Sequence, residues 1–169
     1  MRYRLDVVAY SVPEVVKFAG GWLVDRVMAG WAVTVLIPAD EDTRPLEILG
    51  VQTFDLESAL EMGADRPHPQ TVAVAIGLFA SDLRVRQGVL DALDHGLTEV
   101  TLWGEQCPEE LDDTVGVVRH QLSAAARAFK AQALVAADDP EAGFVGDCET
   151  FSCGMMVRPS VAADLIPAS

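Results

Sequence analysis

LDVVAYSVPEVVKFAGGWLVDRVMAGWAVTVLI, residues 5–37, reads as one strand–helix–strand unit. Leu5 to Tyr10 is a short apolar run broken only by Asp6, which fits a buried strand. At Ser11-Val12-Pro13-Glu14 the pattern changes. A capping Ser and a Glu three residues later can satisfy each other's orphan amides, and Pro13 falls in the first turn, where its missing N–H costs little. Val12, Val15, Val16, Ala19, Trp22, Leu23 and Val27 then recur at spacings of three and four. That spacing lays one apolar stripe of a helix on a sheet, and the helix should stop near Gly30. Ala32 to Ile37 is the next strand.

The alternation continues downstream. Thr43 as cap, Pro45 just inside and Gly50 just past the end spell a short helix. Residues 38–50 thereby supply the dozen or so positions a parallel crossover needs, and Val51 to Asp55 is the third strand. A second short helix follows from Leu56 to Met62, and Gly63 to Gln70, with Pro67 and Pro69, is a loop. Thr71 to Ile76 is the least polar strand and is expected to be central. Ser81 or Asp82 starts a helix that stops at His95-Gly96, with Leu83, Val89, Leu90 and Leu93 inward and Gly88 marking close packing. Val100 to Trp103 is the fifth strand. Beyond an acidic loop around Cys107-Pro108, a long helix is expected over Val115 to Ala137, then a loop from Asp138 to Gly146 and an edge strand within Glu149 to Met156. The expected fold is α/β: one domain over residues 1–169, with its core in 5–137 and a tail in 138–169. It is a three-layer Rossmann-like sandwich of about five mostly parallel strands with helices on both faces.

A chain of 169 residues, half of them hydrophobic, can bury a substantial core. Its formal charge of −14, from 26 acidic and 12 basic residues, repels phosphate backbones and anionic membranes, so neither nucleic acid nor a membrane is expected as partner. No secretory h-region or bilayer-length apolar run is present, and three cysteines cannot all pair with one another, so a cytoplasmic protein with free thiols is expected.

Gly20-Gly21-Trp22, followed by Ala29-Gly30-Trp31-Ala32-Val33-Thr34-Val35-Leu36, resembles the opening unit of nucleotide-sugar glycosyltransferases and some dinucleotide enzymes. The resemblance covers about a fifth of the chain and implies phosphate at the glycines, with a ribose hydroxyl on Asp40. A phosphate-binding glycine loop must directly follow its strand, whereas the capping box puts both glycines mid-helix. There the alternative is that they let another element pack closely, and Asp40 within Asp40-Glu41-Asp42 reads equally as a solvated turn.

In a sheet of this kind ligands bind beyond the strand carboxyl ends, where strand order reverses. The expected ligand-binding residues are accordingly Tyr10, Ser11, Asp40, Ser81, Trp103 and Glu105. The stretch from Val115 to Ala137 has no acidic residue, and Arg119, Arg127 and Lys130 follow helical spacing with Ser123. They form either a cationic patch for a phosphorylated ligand or acidic partner, or a solvated face. Cys148 and Cys153 are spaced more widely than structural zinc pairs usually are and have no second pair, so no metal site is expected despite Cys107, His68, His95 and His120. No Gly-x-Ser-x-Gly, Walker, His-Glu-x-x-His or Cys-x-x-Cys pattern occurs, so no catalytic residue or cofactor is named. Three function classes stand in order. First is a non-catalytic or regulatory module for a small anionic metabolite; second is an interaction or homodimeric domain joined through helix 115–137, with Ala124, Ala125, Ala126 and Ala128 at the contact; third is an enzyme whose residues converge from several loops.

Overall fold

The protein is described by a computed structural model over residues 2–66, 68–95, 98–104, 115–140, 142–154 and 166–167. Its first half follows the expected alternation: β1 (Arg4–Val8), α1 (Val12–Met28), β2 (Ala32–Ile37), α2 (Arg44–Ile48), β3 (Gln52–Asp55) and α3 (Leu56–Met62). Ser11 caps α1 as the sequence requires, its Oγ accepting from the Glu14 N–H at 3.4 Å. The helix stops before Gly30, whose φ of +91° is the left-handed conformation that glycine adopts freely. Asp55 closes β3 and caps α3 by accepting from both the N–H and the Oγ of Ser58.

β4 (Thr71–Ala75) is followed at once by a short helix α4 (Ile76–Ser81), then α5 (Leu83–His95) and β5 (Glu99–Trp103). The five strands pair in parallel in the order β3-β2-β1-β4-β5, with β1 and β4 side by side at the reversal of strand order. Helices on both faces of this sheet complete the expected α/β sandwich. Leu5 and Val7 point to one face, which α1 and α2 cover; Asp6 and Val8 point to the other, toward α3 and α5.

The C-terminal third departs from expectation. Residues 115–137 are not one helix but β6 (Val115–Gln121) and α6 (Ala124–Ala136). Three valines and a glycine within residues 115–118 are poor helix formers, and Val117, Val118, Arg119 and His120 alternate outward and inward with period two. Ser123 is the true helix start, its Oγ accepting from the Ala126 N–H at 3.0 Å. β7 (Cys148–Gly154) is no edge strand: it lies between β5 and β6, antiparallel to both, and β8 (Ile166–Pro167) borders β6. The parallel sheet is thus extended by three antiparallel strands, with Phe151 of β7 packed on Trp22 at 4.9 Å between ring centroids.

Smaller expectations also change. Leu83 is 81% exposed rather than inward, and a Cβ on Gly88 would meet nothing within 4 Å, so that glycine marks open space instead of close packing. Ala126, expected at a subunit contact, is buried within its own chain. Among the described residues no helix is long and apolar enough to cross a membrane.

Candidate functional site

Two polar clusters flank α1. The first is interior. Gly21 and Trp22 donate their backbone N–H groups to the Glu149 carboxylate at 3.0 and 2.6 Å, and Lys130 Nζ donates to the same carboxylate at 2.7 Å. Lys130 also donates to the Lys17 carbonyl at 2.7 Å, the acceptor that a regular helix offers to the Gly21 N–H. A Cβ on Gly21 would stand 2.2 Å from Leu122 Cδ2, so the glycine is required by close packing, as the mid-helix reading held. The anion at these glycines is the chain's own carboxylate. Burial pushes the Glu149 carboxyl up, against the pull of Lys130 and the two amides.

Nearby, Asp25 of α1 binds His120 Nε2 at 2.7 Å, the Ser123 Oγ at 2.5 Å and the Ser123 N–H at 3.2 Å. Partial burial opposes the Asp25 charge, but the bonds from Ser123 and His120 outweigh it and hold the carboxyl below its usual range. Ser, His and Asp meet here, yet the serine bonds the aspartate and caps α6, so the set joins α1 to β6 and α6 instead of forming a nucleophile relay.

The second cluster is at the carboxyl ends of the strands. Tyr10 follows β1 and is 42% exposed, with its hydroxyl donating to Asp82 at 3.0 Å from the α4–α5 junction. Arg84 grips Asp82 at 3.0 Å and Glu57, at the start of α3, through paired bonds of 2.8 and 3.0 Å. The Arg84 guanidinium, helped by the Tyr10 hydroxyl, pulls the Asp82 carboxyl down to about 2 and lowers Glu57 as well; the bond to Asp82 raises the Tyr10 hydroxyl. At the adjoining N-terminus of α1, the Val12 N–H donates to Glu41 at 3.4 Å from the loop after β2. β1 and β4 are the strands at which the order reverses, so this cluster occupies the crevice that the topology opens.

Of the expected ligand-binding residues, Tyr10 and Ser11 lie at this crevice, Asp40 is exposed in the turn after β2, and Ser81 is exposed at the end of α4. Trp103 is buried core, and Glu105 and Cys107 lie outside the described residues. Arg119, Arg127 and Lys130 do not share a helix face: Arg119 is exposed on β6, Arg127 is exposed on α6, and Lys130 is buried against Glu149. Sequence reasoning missed Glu57, Asp82, Arg84 and Glu41. Their nearest signal was position just beyond a strand or at a helix start, and nothing local pairs Arg84 with Glu57 across 27 residues.

Metal-bound water is a common agent of hydrolysis. Among the described residues no three His, Cys, Asp or Glu side chains converge as a metal-ligand set, and Cys148 is a free thiol.

No family model matches the chain, and no curated protein matches it in sequence. Solved structures match it in fold. The A40926 pseudoaglycone deacetylase Dbv21 superposes with a TM-score of 0.67 at 16% identity, over 94% of this chain and 100% of the other. A triple mutant of the deacetylase of the teicoplanin biosynthetic pathway gives 0.62 at 14% identity, over 89% of this chain and 97% of the other. That pathway's deacetylase in complex with teicoplanin gives 0.59 at 14% identity, over 98% and 99%. The expectation of a non-catalytic or regulatory module is corrected by these neighbours, all of them deacetylases. At this identity the likeness establishes the α/β fold they share with the chain.

Proposed function

We propose that the protein is an N-acyl hydrolase of the deacetylase class, cleaving an acyl amide in the crevice beyond β1 and β4. The observation that carries this reading is the solvent-accessible Tyr10–Asp82–Arg84–Glu57 cluster at the strand reversal of a sheet built like those of deacetylases. Glu41, beside the α1 N-terminus, is the general base that takes a proton from water. The water oxygen attacks the amide carbonyl, the C–N bond breaks, and the proton passes to the departing amine. The Tyr10 hydroxyl turns its one proton from Asp82 to the developing oxyanion, and in the free protein Asp82, held by Arg84, keeps that hydroxyl at the crevice. Glu57 and Asp82 already pair with the Arg84 guanidinium, and Glu41 adds a further carboxylate at the α1 N-terminus, which favours a neutral or cationic substrate over the anionic metabolite expected from sequence. Three cysteines, with Cys148 a free thiol, support a reducing and hence cytoplasmic setting.

The test is acetate release from a panel of N-acetylated amino sugars and N-acetylated arylamines. Turnover is expected to fall about a hundredfold or more in Glu41→Gln, within the range of positioned acid–base groups. Binding of every panel member without acetate release, or full activity in Glu41→Gln, would overturn hydrolysis at this crevice.

A further inference from the structure

A cavity of about 330 Å³ lies between the sheet and helices α3 and α5, on the face opposite α1. Five valines form much of its wall: Val8, Val72 and Val74 from β1 and β4, and Val85 and Val89 from α5. Gly88 opens it further, since a Cβ there would meet nothing within 4 Å. This volume is near the lower end of the range for small-molecule sites, about 300–1,000 Å³.

One side chain sets the chemistry. Asp6, in the middle of β1 and only 5% exposed, borders the cavity. Its Oδ2 pairs with Arg66 at 3.2 Å, but its Oδ1 accepts no hydrogen bond among the described residues, the Arg4 guanidinium being 3.9 Å away. A buried carboxylate oxygen without a donor is costly, and a ligand that supplies the donor recovers that cost. The other charged and titratable groups at the cavity are Arg66, His68 and Arg84, and Arg84 is occupied by Glu57 and Asp82. Two guanidiniums already face the single Asp6 charge, so an ammonium would add a third positive charge, and a carboxylate ligand would repel Asp6. We infer that this cavity binds an uncharged ligand with an apolar body and one hydroxyl group, the hydroxyl donating to Asp6 Oδ1 while the body fills the valine-lined space. The cavity shares Arg84 with the crevice cluster, but its ligand is argued from Asp6 and the valines, so it does not depend on the hydrolase reading.

Three probes of equal length, 1-octanol, octylamine and octanoate, are titrated into the full chain while valine methyl resonances are followed by NMR. Saturable shifts at Val8, Val74 and Val89 are expected with 1-octanol, with the amine and the carboxylate at least tenfold weaker. Gly88→Leu fills the cavity from a helical position that has room for it, so it should raise the melting temperature and weaken 1-octanol at least tenfold. No saturable shift with 1-octanol, less than tenfold discrimination among the three probes, or unchanged affinity in Gly88→Leu would each overturn the site.

Discussion

Glu149 with Lys130 in the interior and Glu57 with Arg84 at the crevice are both carboxylate–cation pairs, yet water reaches them very differently. Glu149 has 2% of its side chain exposed and is closed in by Lys130 and two helix amides; Arg84 has 52% exposed, and its partner Glu57 has 56%. The interior set is spent on the chain's own groups and joins α1 to α6 and β7, while the outer set presents half-exposed side chains to solvent. Identical chemistry therefore serves architecture in one place and is available for reaction in the other, with burial as the difference.

The largest effect should come from breaking the interior pair. Lys130→Met leaves Glu149 buried without its counter-ion and should cost about 3–5 kcal/mol in urea unfolding, while a joint Lys130→Met, Glu149→Leu change should recover most of that loss. A single-variant loss below about 1 kcal/mol would mean that the interior pair behaves like a surface one. Gly21→Ala comes next: the added methyl collides with Leu122 and should cost about 1–3 kcal/mol, whereas Gly20→Ala, whose Cβ meets its nearest neighbour at 3.4 Å, should be neutral or stabilising. Equal effects at the two glycines would refute the close-packing account.

At the outer cluster the expected stability changes are small and the electrostatic ones clear. Arg84→Leu should leave the unfolding free energy nearly unchanged near neutral pH, while carboxyl NMR should show Asp82 rising from about 2 toward its ordinary 3.8. The sign follows from proton linkage. A carboxyl depressed in the folded state adds stability above its unfolded pKa and loses it as pH falls through the folded value. The Asp82 contribution should therefore fade between 3.8 and about 2, and Arg84→Leu should flatten that part of the acid unfolding curve. Tyr10→Phe should have the smallest effect on stability, because it removes one bond from a half-exposed hydroxyl, yet it should slow acyl-amide cleavage about tenfold or more.

The first half of the fold was legible because its signals are local. Ser11, Pro13 and Glu14 mark the start of α1 within four residues, and Gly30 marks its end. The region from Val115 to Ala137 misled because absence of acidic residues and a few helical spacings outweighed two contrary marks, Gly116 among valines and Ser123 before an alanine run. Of the candidate site, Tyr10 and Ser11 were legible from topology alone. Arg84 was not, since it lies beyond a helix break at Asp82 that reads as a helix start, and its partner Glu57 lies on a different element.

By itself the sequence determined the strand–helix alternation, the cap of α1 and the two glycines within that helix, because caps and periodicity act over a few residues. Only the tertiary structure decided what those glycines hold and where the ionisable groups meet. Glu149 reaches the Gly21 amide across 128 residues, and Asp82 reaches Tyr10 across 72. Such contacts depend on strand order, and strand order is settled when the whole sheet and its covering helices bury their apolar faces together.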